Sequence, residues 1–136
     1  MTMRDYAKLE TSALLQRLAG QVDHASIAGD ADSIHDLRVV IRRLSRCLRL
    51  FAQFYPGRSR RKLREELGRM MDAAGAVRDL DIAIALLAES GLPRRSAAVA
   101  RLSAERRKRS RVLLAEVRRW RRSRRLSRGW RRKLEL

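Results

Sequence analysis

A single cysteine, Cys47, in 136 residues excludes an internal disulfide and any cysteine-rich zinc site. Two prolines and seven glycines are too few for a collagen-like or linker-like chain. Aromatic residues make up 4% of the sequence, which leaves little for the stacking platforms that read single-stranded bases. No run approaches the ~18 consecutive apolar residues of a membrane span. The charged stretch Met1 to Glu10 lacks the apolar segment of a signal peptide, so a cytoplasmic location is expected. Acid is scarce as well: 15 Asp plus Glu stand against 33 Lys plus Arg, a formal net charge of +18.

The hydrophobic fraction of 45% is ordinary for a globular chain, which argues against wholesale disorder, and the length suits one domain with a modest core. A sequence pI near 11.7 points to a polyanionic partner: nucleic acid, an anionic membrane or a phosphate polymer. Of the 33 basic residues 29 are arginine. The planar guanidinium fork grips phosphate in a bidentate way that the lysine ammonium cannot, so the bias favours a phosphate-bearing ligand.

Apolar residues recur at helical spacing almost throughout. The spacing predicts a first helix over Met3 to Ala28, with Ala7, Leu14, Leu18, Val22 and Ala25 on one face. Ser33 and Asp36 resemble a capping box that opens a second helix running to Phe54, which Pro56-Gly57 ends. A third helix starts near Ser59 and follows Leu63, Leu67, Met70, Ala74, Val77, Ile84 and Leu87; Gly68 and Gly75 on it suggest a close helix approach or a kink. After Gly91-Leu92-Pro93, a fourth covers roughly Arg95 to Arg122, with Leu102, Leu113, Val117 and Trp120 in line. The expected fold is all-α: an antiparallel four-helix bundle over residues 1–122 and a basic C-terminal tail or helix extension over 123–136. Residues 118–133 carry 10 basic residues in 16, and Trp130 among them is a weak candidate for a membrane or nucleic-acid contact.

The second helix is the most informative. At about 100° per residue, Leu37, Val40, Ile41, Leu44, Leu48 and Phe51 share one face, the core side. His35, Arg38, Arg42, Arg46 and Arg49 fall opposite, with Arg43 at the edge, in a stripe about 21 Å long at roughly 1.5 Å rise per residue. No carboxylate sits at helical spacing within it. Like charges at i,i+4 repel by a few tenths of a kcal/mol per pair, and a solvated face usually mixes signs to avoid this. A linear polyanion along the stripe would relieve the repulsion; acids from a neighbouring helix would do so too.

Ile34-His35-Asp36-Leu37-Arg38-Val39 with Arg42-Arg43-Leu44, followed by Arg78-Asp79-Leu80-Asp81-Ile82, resembles the CHAD domain, the conserved histidine α-helical domain. The family pattern is His-x-x-Arg-Val-x-x-Arg-Arg-Leu and then Arg-Asp-x-Asp-Val, with Ile82 in place of Val here. Leu67-Gly68 resembles part of the same neighbourhood, although the family's Leu-Gly stands closer to Arg-Asp, where this chain has Ala74-Gly75. The resemblance spans about residues 7–120. It implies an all-helical domain that binds inorganic polyphosphate through a basic groove or pore, in a family associated with polyphosphate granules and sometimes fused to triphosphate-processing domains. A full CHAD domain is similar to two four-helix bundles related by pseudo-twofold symmetry. This chain has length for one, which implies a homodimer that rebuilds the pair.

By motif, the resemblance assigns polyphosphate binding to His35, Arg38, Arg42 and Arg43; Arg46 and Arg49 extend the same face by geometry. His35, near the start of its helix, can donate to phosphate oxygen with help from the helix N-terminus, or serve as a structural histidine at the turn. His24 has no motif around it and reads as a surface residue. Arg78, Arg106 and Arg109 are possible additional basic contacts; Arg106 and Arg109 either line the polyanion groove or face Asp79 or Asp81. Those two carboxylates are expected to pair with Arg42 or Arg43 and hold the guanidinium forks in place. No metal site, cofactor or catalytic residue is assigned: no P-loop or persuasive nucleophile–base pair is present, and a metal-dependent hydrolase is the weaker alternative. The remaining alternatives are a nucleic-acid-binding helical protein and a membrane-surface binder acting through residues 118–133.

Overall fold

The computed structural model describes residues 1–122 and 124–136, with the side chains of 124–128 left out. The chain forms α1 (Met3–Ile27), α2 (Ala31–Leu50), a 3₁₀ turn (Ala52–Phe54), α3 (Gly57–Glu89), α4 (Ala97–Arg122) and α5 (Arg124–Lys133). Among the described residues there is no strand, and no helix is long and apolar enough to cross a membrane.

Local chemistry sets the helix ends. Thr2 and Asp5 close a reciprocal capping box on α1: the Thr2 hydroxyl accepts from the Asp5 N–H, and the Asp5 carboxylate from the Thr2 N–H. Gly29 turns the chain at φ +60°. Asp30, not Ser33, caps α2; its carboxylate accepts from the Ser33 N–H at 3.0 Å and from the Ser33 hydroxyl, so the cap lies three residues before the expected position. At the far end of α3, Gly91 adopts φ +85°, and the Leu92 and Gly91 N–H groups donate to the Leu87 and Ala88 carbonyls in a Schellman closure. The Ser96 hydroxyl accepts from the Val99 N–H and opens α4.

The four long helices touch in a closed cycle: α1 with α2, α2 with α3, α3 with α4, and α4 with α1. The periodic apolar residues meet inside it. Leu14, Leu18 and Val22 of α1 join Leu37, Ile41, Leu44 and Leu48 of α2, the α3 strip from Leu63 to Val77, and Leu113, Val117 and Trp120 of α4. Gly68 and Gly75 mark neither a close approach nor a kink: α3 runs unbroken, and a Cβ at either would meet nothing within 4 Å.

Three apolar positions depart from expectation. Ile84, Leu87 and Leu102 are only half-buried. Arg106 reaches the Gly29 carbonyl, which sets α4 against the α1–α2 turn at that level. The eight residues of α3 after Asp81 and the nine of α4 before Arg106 therefore rise about 12–14 Å past the turn, where neither α1 nor α2 is present to cover them.

The C-terminal segment also differs. Trp130 is 1% exposed and lies in the core with Leu134, so it is an anchor and not a surface contact to membrane or nucleic acid. Lys133 stacks over its ring at 4.9 Å. Of the basic cluster over 118–133, Ser123 and the side chains of 124–128 lie outside the described residues.

A buried polar relay ties α1 and α2 to the segment before α3. The Tyr55 hydroxyl donates to the Ala7 carbonyl at 2.9 Å, so Thr11 Oγ1 donates to Tyr55 and itself accepts from the Cys47 thiol at 3.3 Å. Burial pushes the Cys47 thiol and the Tyr55 hydroxyl up from their usual values. Cys47 is thus a small buried residue with one specific contact, as its apolar neighbours suggest.

Candidate functional site

The stripe on α2 arises from the period of the helix. Leu37, Ile41, Leu44 and Leu48 are buried, which turns His35, Arg42, Arg46 and Arg49 outward; all four are exposed, as is Arg43. Arg38 is half-buried at the flank. Among the described residues, no carboxylate lies within 4 Å of any of these basic groups, and no hydrogen bond satisfies them. The stripe keeps its repulsion: the neighbouring helices supply no ion pair to neutralise it.

The two flanks of α2 differ. Arg43 and Arg46 line a cleft against α1 with Tyr6, Glu10, Leu14 and Leu50. Arg38, Arg42 and Arg49 turn toward α3, because Cys47 on the other side of the core strip meets Thr11 of α1. The Arg38 Nε is buried with no hydrogen-bond partner. The N-terminus of α2 offers phosphate no free end, since the Asp30 carboxylate already accepts there and hydrogen bonds from Ser33 hold its pKa below the usual value. His35 stands on the stripe without that help.

The acids of the Arg78-to-Ile82 element do not serve the stripe. Asp81 accepts from the Nε of Arg106 on α4, not from Arg42 or Arg43. Arg106 also donates to Ser110 Oγ at 3.3 Å and to the Gly29 carbonyl at 3.4 Å, so one guanidinium links α4, α3 and the α1–α2 turn. Sequence spacing gave no means to choose this partner, because the register of α3 against α4 decides it. Asp79 is exposed. Arg109 pairs with Glu105 one turn away at 3.1 Å and faces Arg69, Asp72 and Glu116 in the α3–α4 seam, remote from the stripe in character: acids and bases alternate there. Arg121, near the end of α4, pairs with Asp23 at 3.3 Å and donates to the Ser26 hydroxyl. Of the three possible additional contacts, the structure turns only Arg78 toward α2.

Two arginines went unread in the sequence. Arg60 and Arg64 recur with Arg78 on one flank of α3, all half-buried. The opposite flank, with Arg69, Asp72 and Ala76, faces α4, so this one faces α2. The Arg60 Nε is buried and unpartnered, like that of Arg38. The available signal was an i,i+4 pair of arginines on the flank beside the core strip. Among the described residues, no group of three or more His, Cys, Asp or Glu is placed to hold a metal ion.

No curated protein and no solved structure matches the chain. The model of the CHAD domain matches residues 11–136, which takes in α5 and its buried Trp130. With the His35-to-Leu44 and Arg78-to-Ile82 elements in place on α2 and α3, the chain belongs to the CHAD-domain family.

Proposed function

We propose that this protein binds inorganic polyphosphate, without catalysis, along the arginine face of α2. CHAD domains are associated with polyphosphate-related proteins. The observation that carries the reading is electrostatic: His35, Arg38, Arg42, Arg43, Arg46 and Arg49 stand together with no carboxylate partner among the described residues. A linear polyanion would neutralise the row and release its condensed counterions, a gain that needs phosphates and no bases. The low aromatic content favours a ligand without bases as well.

The same reading includes an antiparallel arrangement of the four long helices, a cytoplasmic site of action at polyphosphate granules, and a homodimer of two bundles. The dimer is supported by exposed Ile82 and Leu86 on the projecting end of α3 and Leu92 in the turn after it. Light scattering with and without polyphosphate tests it; a monomer in both refutes it.

Nucleic acid would give an equally steep salt dependence, so salt slopes do not separate the ligands. Competition does. With labelled polyphosphate bound at physiological salt, unlabelled polyphosphate is expected to displace it at lower phosphate concentration than RNA, DNA or heparin. Nucleic acid winning at equal phosphate concentration would overturn the reading. Incubation of polyphosphate with the protein and divalent metals is expected to release no phosphate.

A further inference from the structure

The arginine face of α2 has a basic neighbour on α3. On α3, Arg60, Arg64, Gly68, Met71, Gly75 and Arg78 recur at intervals of three or four, so they form one strip along the helix. It flanks the core strip of Leu63, Leu67, Met70, Ala74 and Val77 on the side away from α4. α3 also packs against α2, which leaves this side to the α2 flank that carries Arg38, Arg42 and Arg49. The strip from Arg60 to Arg78 holds no acid.

Two features indicate that the space between the flanks awaits a ligand. Arg38 and Arg60 each bury an Nε–H with no acceptor, although a buried donor ordinarily finds one. At the two glycines of the strip the space is open, since a Cβ there meets nothing within 4 Å. Arginine flanks with unmet donors and open glycine positions differ from the α3–α4 seam, where Asp72 and Glu116 accompany the arginines.

We propose that α3 supplies the second wall of the polyanion site, with Arg60, Arg64 and Arg78 facing Arg38, Arg42 and Arg49, and that the ligand is a single linear chain of phosphates running along the α2–α3 groove. This rests on the polyphosphate reading and deepens it. Packed helices lie about 8–10 Å apart, so the groove takes one thin chain between its walls. Arg38 and Arg49 are separated by about 16 Å along α2, and Arg60 and Arg78 by about 27 Å along α3. A triphosphate reaches only one cluster at a time; a long polyphosphate engages all of them.

The test compares two double variants of equal charge change, Arg60→Gln with Arg64→Gln and, on the exposed surface of α4 away from the groove, Arg107→Gln with Arg111→Gln, by calorimetric titration with long-chain polyphosphate and with inorganic triphosphate. The α3 pair is expected to weaken long-chain binding tenfold or more, with triphosphate affected far less, while the α4 pair costs a small fraction of that. The melting temperature of the α3 pair should not fall, because Arg60 contributes an unsatisfied donor and no bond. Gly75→Leu reads the groove without changing charge: it should weaken long-chain binding by obstruction, and it serves if the arginine pair misfolds. Equal losses from the two pairs, or a larger loss from Arg107 and Arg111, would overturn the second wall. Failure of the unaltered protein to bind polyphosphate would instead sink the functional reading itself.

Discussion

α2 and α4 are both rich in arginine, and three arginines of α4 sit under a constraint that the α2 row escapes. On α4, Arg106, Arg109 and Arg121 each meet a carboxylate: Asp81 of α3, Glu105 of the same helix, and Asp23 of α1. On α2, the basic row from His35 to Arg49 meets none among the described residues. Net charge alone does not distinguish the two helices, because a balanced arginine and a bare one count the same. The difference lies in what each has given up. Of the paired arginines, Arg106 and Arg121 connect helices, Arg109 bridges one turn of its own, and each adds modestly to stability. The unpaired row of α2 accepts repulsion in the free protein, and that stored repulsion is available to a bound polyanion.

The sharpest way to break this comparison is charge reversal on the bare row. Arg38→Glu combined with Arg42→Glu should weaken polyphosphate binding by a hundredfold or more, roughly 2.7 kcal/mol, with helicity and melting temperature near those of the unaltered chain. Loss of the fold would show that these residues are structural.

Trp130→Ala probes the other basic region, the C-terminal one. The ring is buried in the core, so the substitution should cost about 3–5 kcal/mol in chemical denaturation, the largest stability loss among these variants. A surface contact to a ligand would leave stability intact.

Arg106→Ala should do to α4 what the double reversal does not do to α2. It leaves Asp81, largely sheltered, without its partner, and should cost about 1–3 kcal/mol of stability while polyphosphate affinity stays near that of the unaltered protein. The reverse pattern would erase the distinction between the helices.

The smallest effect belongs to the Thr11 relay. Because burial raises the Cys47 and Tyr55 values in the folded state, the folded chain holds those protons more tightly than the unfolded one. Their contribution is whole below about pH 9 and is lost as pH rises through the folded values. Melting temperature measured across the alkaline range should fall, and less steeply in Cys47→Ala.

Much of the fold was legible because helical periodicity is a local property. Leu63 to Val77 repeat at intervals that only a helix brings to one face, and Gly91 stops α3 by its own φ. The stripe was legible for the same reason. What escaped depends on register between helices. Asp81 chooses Arg106 because α3 and α4 align at that level, and Ile84 and Leu102 stay half-exposed because α1 ends below them. Trp130 reads as a surface residue among arginines until α5 turns it into the core. The cap of α2 moved from Ser33 to Asp30 because both residue types suit the position and only the backbone decides.

On the proposed function, the bare arginines of α2 are the anion site. Crystals grown from high sulfate, or with a short polyphosphate, would test it directly by the positions of bound anions. Anions are expected at Arg38 and Arg42, on the α2 face toward α3. Anions confined to Arg118, Arg121 and Arg122 at the end of α4, with the α2 row empty, would contradict it.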